Sequence, residues 1–310
     1  MTLKVQFSDT PKRWTIFEGP LNDAFKAQGL DVDLSTDHAP ETVDYVVYSP
    51  KGPVQDFTPY TNCKAVMSLW AGVEKVVGND TITQPLTRMV DEGLSEGMRE
   101  WVTGHVLRHH LDTDLDVNRA PGDWTPHMPP LASERGVTIL GLGELGQACA
   151  ETLIPLGFPI TGWSRTQKDI EGITCLSGDD GLIEALKRAE ILVLLLPDTP
   201  ATTNIINPET LALLPDDAVI INPGRGPLID DDALLAALDL GKIKHATLDV
   251  FRVEPLPEDH PYWHHDRVTV TPHIAAETRP TTSARVIAEN IRRGEAGEPF
   301  LYLVDRDQGY

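Results

Sequence analysis

The sequence predicts an α/β protein built on a doubly wound parallel sheet, and three observations carry that expectation. From Val137 to Thr271 short apolar segments alternate with helical patterns, the order that a parallel sheet with crossover helices requires. One of those segments, Ile191–Leu196, is apolar without interruption, as a strand buried on both faces must be. Finally, Gly141-Leu142-Gly143-Glu144-Leu145-Gly146 lies directly between a strand pattern and a helical one, the setting in which G-x-G-x-x-G has a physical meaning.

The elements follow in chain order. Up to about Gln84, short apolar runs alternate with Pro/Gly turns, and Leu3–Phe7, Tyr45–Tyr48 and Ala65–Leu69 read as strands. Arg88–Leu111 has the spacing of a long helix, with Met89, Leu94, Met98, Trp101, Val102, Val106 and Leu107 as its apolar residues. The stretch Ala120–Pro130 holds four prolines and can be neither helix nor central strand. Beyond it, Val137–Leu140, Phe158–Trp163, Ile191–Leu196, Ala218–Asn222, Ala246–Val250 and Val268–Thr271 are the expected strands. Glu144–Leu156, Asp179–Arg188, Pro208–Leu214 and Asp230–Leu238 are the expected intervening helices, and a last helix, Arg279–Arg293, is expected to return to the first domain.

Composition sets outer bounds. A chain of 310 residues with 41% hydrophobic content can bury one large or two moderate cores. No run approaches the roughly 20 apolar residues of a membrane span, and the opening Met1–Phe7 reads as a strand rather than a signal peptide. Cys63, Cys149 and Cys175 are odd in number and widely spaced, which fits neither a disulfide framework nor a metal knuckle and suits a reducing cytoplasm. Cys149, among small residues in a helical pattern, is expected to pack. The net charge of −21 repels phosphate backbones and anionic lipid, so neither nucleic acid nor membrane is an expected partner. Any site for an anionic substrate must then supply its own positive charge.

The glycine motif points to a dinucleotide. Gly141 permits a tight turn, Gly143 lets the backbone approach a pyrophosphate, and Gly146 allows close helix–sheet packing. The helix that opens at Glu144 offers unpaired N–H groups to the phosphates. At the end of the second strand, where a carboxylate would bind the ribose 2′-hydroxyl of NAD, the chain reads Trp163-Ser164-Arg165-Thr166. A guanidinium there can pair with a 2′-phosphate, and the flanking hydroxyls can donate to it, so NADPH rather than NADH is the expected cofactor.

These motifs resemble those of the D-isomer-specific 2-hydroxyacid dehydrogenases, and look most like the glyoxylate/hydroxypyruvate reductase A branch of that family. The resemblance is strongest from Val137 to His273. It rests on Gly141–Gly146, Trp163–Thr166, Leu196-Pro197-Asp198-Thr199-Pro200, Asn222-Pro223-Gly224-Arg225-Gly226, Leu248–Pro257 and Val270–His273, with Ser68–Glu74 similar to the family's substrate-carboxylate loop. It implies a Rossmann-type dinucleotide domain over residues 96–277 and a smaller flavodoxin-like substrate domain of residues 1–95 with 278–310, the active site lying in the cleft between them. It implies NADPH-dependent reduction of small 2-keto acids, glyoxylate and hydroxypyruvate foremost. Arg225 would hold the substrate carboxylate and ketone oxygen, and backbone N–H groups near Ala71, Gly72 and Val73 the other carboxylate oxygen. His273 would be the general acid, with Glu254 on its second ring nitrogen fixing the tautomer and favouring the protonated ring. Leu196, Pro197, Asn222, Pro223, Gly224 and Asp249 would join the glycine motif and the 163–166 segment around the cofactor. Trp70 either narrows the substrate pocket or anchors the core. The long helix would form part of a homodimer interface through Trp101 and Leu107.

Other readings remain to be weighed against this one. His105 and His109 are spaced i, i+4, as a metal pair would be, without an evident third ligand, and His264-His265 has no acidic partner pattern. A dinucleotide-sensing corepressor would use the same fold, but has no need of the Arg225–Glu254–His273 set. In formate dehydrogenases the partner of the histidine resembles Gln, so Glu254 favours keto-acid reduction. No metal is expected.

Overall fold

The computed structural model describes residues 2–73 and 75–306. Met1 and Glu74, which the strand and loop readings touched, lie outside the described residues. The chain divides into two compact units, Met1–Leu94 with Thr278–Tyr310, and Ser95–Glu277.

The first unit carries β1 (Leu3–Ser8), α1 (Pro11–Ala27), β2 (Val32–Ser35), β3 (Tyr45–Tyr48), β4 (Ala65–Ser68) and β5 (Leu86–Thr87). Its strands pair in parallel in the order β2-β1-β3-β4-β5, the flavodoxin-like arrangement. Side chains alternate between two apolar layers. Tyr45, Val47 and Met67 join one layer with Phe17 and Leu21, while Val46, Tyr48 and Val66 join the other with Phe57 and Ile82. Three of these elements were hidden in the sequence, among them the two-residue β5. Gly19 and Pro20 interrupt α1, but Thr10 caps it, Pro11 occupies its first turn, and Phe17, Leu21, Ala24 and Phe25 share its buried face. An edge strand with no buried residue, β2 lacks the apolar run that would mark it.

The second unit begins inside a long helix, α2 (Glu92–His110), followed by the short α3 (Thr113–Val117). Then come β6 (Val137–Leu140), α4 (Glu144–Leu153), β7 (Ile160–Ser164), β8 (Ile173–Ser177), α5 (Gly178–Lys187), β9 (Ile191–Leu194), α6 (Pro208–Leu213), β10 (Ala218–Asn222), α7 (Asp231–Asp239), β11 (Ile243–Leu248) and β12 (Val268–Val270). The seven strands are parallel in the order β12-β11-β10-β9-β6-β7-β8, a doubly wound sheet that reverses direction between β6 and β9. In β9, Ile191 and Val193 face the layer of α2 and α4, with Met98, Val102, Val106, Cys149 and Leu153. Leu192 and Leu194 face the layer of α5, α6 and α7, with Leu186, Leu211 and Leu234. That two-sided burial is why the segment is apolar throughout. The expected helix Glu144–Leu156 ends as α4 at Leu153, and a 3-10 turn, Ile154–Leu156, completes it. The strand β8 was not anticipated, because an edge strand with no fully buried residue carries no apolar run. The proline-rich stretch from residue 120 to 130 has no helix or strand. The last helix, α8 (Pro280–Ala296), belongs to the first unit and buries Ala284, Ile287, Ala288 and Ile291 beside α1.

The face of α2 expected at a dimer interface is largely used within its own unit. Trp101 and Leu107 are partly buried against the α2–α4 layer. Exposed apolar side chains cluster instead just after the helix, where Trp124 is 96% and Met128 94% exposed.

The histidine pair on α2 is also absorbed by packing. His109 donates to or accepts from the Thr247 hydroxyl at 2.8 Å and stacks on His245 at 4.9 Å between ring centres, while His105 stacks on Trp101 at 4.2 Å. Among the described residues no group of three His, Cys, Asp or Glu side chains is placed to hold a metal ion. His265, expected to lack an acidic partner, has one: Asp239 at the end of α7, 3.3 Å away. Burial pushes His109 down to about 3, with His245 and Arg108 adding to the shift, and pushes His105 and His245 down to about 4. These rings are neutral in the folded state, whereas the unfolded chain takes up protons near pH 6.5. Stability is therefore complete above that pH and falls as pH drops below it. The loss at pH 5 is on the order of 2 kcal/mol for the most deeply buried of them, His109. Thermal unfolding between pH 6.5 and 5 checks this, and a Tm that stays flat across the window would sink it.

Candidate active site

The carboxyl ends of the strands in the second unit carry all the expected site residues that fall within it. The glycine motif follows β6, Trp163–Thr166 closes β7, Leu196-Pro197 follows β9, and Asn222–Arg225 follows β10. Asp249 and Glu254 follow β11, and His273 follows β12. Ligands of open α/β sheets bind at this edge, near the point where strand order reverses.

At the glycine motif the backbone itself forms the cradle. Gly141 has φ +109°, and a Cβ there would lie 2.5 Å from the Leu195 carbonyl oxygen; at Gly146 a Cβ would meet the Gly141 carbonyl at 1.9 Å. No larger residue fits either place. Gly143 differs, because its face opens on free space, and with Glu144 it leaves the start of α4 exposed. A dinucleotide pyrophosphate fits this feature, a bare turn in front of unpaired helix N–H groups. The side chain of Leu142 is buried and packs over Gly162, and that of Leu145 joins the α2–α4 layer.

The segment after β7 is held in one conformation. Trp163 is buried and donates its indole N–H to the Gly178 carbonyl at 2.9 Å, and the buried Ser164 donates its hydroxyl to the Thr166 carbonyl at 2.8 Å. That hydroxyl, expected to serve a phosphate, closes the turn instead. Arg165 and Thr166 are exposed, and no carboxylate stands among residues 163–168. One residue that the sequence reading missed joins them: Lys168, whose ammonium donates to the Leu142 carbonyl at 2.5 Å. A cation three places after Arg165 was its only sequence signal.

The loop after β10 is stapled by Asn222, which is 1% exposed. Its Oδ1 accepts from the Gly224 N–H at 3.1 Å, and its Nδ2 donates to the Arg225 carbonyl at 2.9 Å. Pro223 and Gly224 are buried beneath the half-buried Arg225, whose Nη1 donates to the Gly224 carbonyl at 2.7 Å. Leu196 is buried and Pro197 exposed, the latter's carbonyl accepting from Thr202 at 2.6 Å.

Asp249 does something the sequence reading did not foresee. Its carboxylate is wholly buried and accepts from the Thr271 hydroxyl (2.6 Å), the Ile274 N–H (2.9 Å) and the Ala275 N–H (2.9 Å). Its own carbonyl accepts from the His273 N–H at 2.9 Å. Expected on the cofactor, this side chain is occupied in moulding the turn that carries His273. An acidic residue inside the apolar run Ala246–Val250 was the available signal, since a buried charge must be fully hydrogen-bonded.

The turn places His273 in the left-handed region, φ 55°, with its side chain 53% exposed and its Nδ1 2.8 Å from Glu254 Oε2. The other Glu254 oxygen accepts from the Phe251 N–H at 3.0 Å. A carboxylate fixed at one end by backbone and at the other by a ring nitrogen holds the imidazole in one tautomer, with Nε2 facing away from it.

Trp70, Ala71 and Gly72 belong to the first unit, in the loop after β4. The Trp70 N–H donates to Ser68 Oγ at 3.0 Å, its carbonyl accepts from Met89 N–H at 2.9 Å, and its half-buried ring packs on the α1–α8 layer. Lys51 stands over the ring, 5.6 Å from its centre. Ala71 and Gly72 are half-buried and Val73 is buried.

Comparison with known proteins agrees with this geometry. The family described as D-isomer specific 2-hydroxyacid dehydrogenase, NAD binding domain, matches residues 105–275. Glyoxylate/hydroxypyruvate reductase A of Klebsiella pneumoniae (strain 342) is 41% identical over 256 residues, which are 80% of this chain and 82% of that protein. Among solved structures, a D-isomer specific 2-hydroxyacid dehydrogenase from Xanthobacter autotrophicus Py2, in complex with NADPH and MES, superimposes with a TM-score of 0.90. It is 42% identical, with 99% of each chain covered. An NADPH-dependent glyoxylate/hydroxypyruvate reductase from Sinorhizobium meliloti, in complex with NADP and sulfate, gives a TM-score of 0.88 at 33% identity, covering 100% of this chain and 99% of that one.

Proposed function

The chain belongs to the D-isomer specific 2-hydroxyacid dehydrogenases, and from that premise we propose that it is an NADPH-dependent reductase of small 2-keto acids, glyoxylate and hydroxypyruvate foremost. The observation that carries this reading is the His273–Glu254 pair at 2.8 Å on the same sheet edge as the glycine cradle. A protein that only sensed a dinucleotide would have no use for a histidine held in one tautomer by a carboxylate. The names of the Klebsiella and Sinorhizobium relatives support the choice of substrate and cofactor, and Arg165, in place of a carboxylate after β7, supports NADPH.

In this mechanism the second unit is the dinucleotide domain and the first is the substrate domain. Bound NADPH supplies the hydride that adds to C2 of the keto acid. The Arg225 guanidinium holds the substrate carboxylate and its ketone oxygen, polarising the carbonyl. Backbone N–H groups at Ala71 and Gly72 are the first unit's proposed donors for a carboxylate oxygen. His273 Nε2 gives its proton to the ketone oxygen, while Glu254 stabilises the ring and fixes its orientation. The products are a 2-hydroxy acid and the oxidised cofactor, and His273 regains its proton from solvent, to which it is exposed. The exposed Leu111, Leu115, Val117, Trp124, Met128 and Leu131 support a homodimer, and three unpaired cysteines suit the reducing cytoplasm.

Purified protein tested with a panel of 2-keto acids, NADPH against NADH, decides the reading. Loss of nicotinamide absorbance is expected with glyoxylate or hydroxypyruvate and NADPH; no turnover with any keto acid would reject it. Light scattering on the same preparation should give twice the chain mass, and a monomer would remove the dimer.

A further inference from the structure

In a keto-acid reductase of this design the ketone oxygen must meet the Arg225 guanidinium and the His273 imidazole together. An error of about 1 Å in such placing costs on the order of 10²-fold in rate. Arg225 follows β10, whereas Glu254, which holds the His273 ring at 2.8 Å, follows β11. We propose that Arg252 is a positioning residue for the reaction, fastening the loop that carries Glu254 to the loop that carries Arg225. The proposal rests on the reductase reading above.

The Glu254 loop has little apolar packing to hold it. Phe251 is buried, but Arg252, Val253, Glu254 and Pro255 are all exposed. Its anchor is polar instead. Arg252 Nη2 donates to the Ile229 carbonyl and to Asn204 Oδ1, and lies 3.5 Å from the Pro227 carbonyl. Its Nε stands 3.3 Å from Asp231 Oδ2 at the start of α7. Pro227 lies in the 3-10 turn Gly226–Leu228, which follows Arg225 directly, and Ile229 ends that turn. One planar fork thus joins the Glu254 loop to the chain just downstream of Arg225. The backbones meet at the same place. A Cβ on Gly226 would lie 2.0 Å from the Phe251 carbonyl carbon and 2.4 Å from the Arg252 nitrogen. The residue after Arg225 is therefore pressed against Phe251, whose N–H holds Glu254 Oε1. Asp231 is fixed from its other side, since its Oδ1 accepts from the Tyr262 hydroxyl at 2.9 Å and Tyr262 is 2% exposed. A guanidinium that meets several anchored acceptors in one plane holds its direction better than a point charge would.

A merely structural arginine is the competing account: its loss would lower stability and leave the chemistry of the folded enzyme untouched. Arg252→Met, which keeps the stem and removes the fork, separates the two. Its kcat for the keto acid should fall by about 10- to 100-fold and its KM rise, while the NADPH Kd from tryptophan quenching stays unchanged. The falling limb of the kcat–pH profile should move to lower pH, because an imidazole whose carboxylate is loosely held gives up its proton more readily. NMR titration of the His273 ring, assigned by its loss in H273A, should show the same displacement without any turnover. R252K should recover part of both effects, since an ammonium can still reach the Asp231 carboxylate. If R252M does not fold, D231N supplies the answer. Its amide oxygen keeps the Tyr262 bond while its lost charge weakens the hold on Arg252, so a smaller loss of the same kind is expected. Native kcat, KM and titration in these variants, whatever their Tm, would overturn the proposal, as would an NADPH Kd weakened as much as turnover. A wild type that reduces no keto acid removes the reductase reading and the role of Arg252 with it. A wild type that turns over, beside an R252M with native kinetics, removes Arg252 alone.

Discussion

Replacement of His273 by alanine should lower turnover by about 10²- to 10⁴-fold while NADPH binding is retained. The imidazole stands on the sheet edge with one nitrogen anchored, 2.8 Å from Glu254, and the other placed to deliver a proton. It stands off the core, 53% exposed, so its removal should leave the fold intact. The loss would then fall on kcat and not on the nucleotide Kd. Glu254→Gln refines the test. An amide can keep the Phe251 N–H bond (3.0 Å in the native pair) only by turning its NH₂ toward Nδ1. The ring would then favour the wrong tautomer, and the pH profile of kcat should shift along with its magnitude. Pre-steady-state and steady-state absorbance at 340 nm with tryptophan quenching for binding would check both variants. An alanine variant with native turnover would remove His273 as the acid.

Asp249→Ala should reduce stability and turnover together, although the side chain is wholly buried. It leaves the Ala275 N–H, in a residue only 2% exposed, without an acceptor, and it frees the Ile274 N–H and the Thr271 hydroxyl. Each unsatisfied buried donor costs about 1–3 kcal/mol, so a loss on the order of 3 kcal/mol and a Tm lower by roughly 5–10 °C are expected for a unit of this size. Turnover falls because the turn that holds His273 at φ 55° loses its template. Thermal unfolding and kcat measured on the same preparation decide the matter. Loss of turnover with an unchanged Tm would mean that Asp249 serves the cofactor and not the turn.

Much of the catalytic edge was legible in the chain because its chemistry is local. A glycine motif between a strand and a helix, and an arginine where an NAD enzyme has a carboxylate, announce themselves within a few residues. Arg225, Glu254 and His273 are modest signals one by one, and only the ordered set of motifs around them suggested the roles proposed for them. The strands buried on both faces were readable for a related reason. Two-sided burial leaves no polar position, and β9, with all four residues at 0% exposure, is apolar throughout.

What the sequence could not state concerns side chains whose partners lie far along the chain. The edge strands β2 and β8 carry no apolar run, so nothing local marks them, and they exist because β1 and β7 offer them a row of hydrogen-bonding groups. Lys168 meets a carbonyl 26 residues away and His109 a hydroxyl 138 residues away. The i, i+4 spacing of His105 and His109 would also suit a metal pair, but burial makes His109 a neutral packing residue. The same holds for Asp249. Composition and periodicity determined that this chain would form a doubly wound parallel sheet, and the glycine motif marked the turn proposed for a dinucleotide phosphate. The tertiary structure alone decided which polar groups are buried, because burial depends on which distant segment covers a residue. Burial in turn makes an acidic residue just after a strand the template for the histidine's turn.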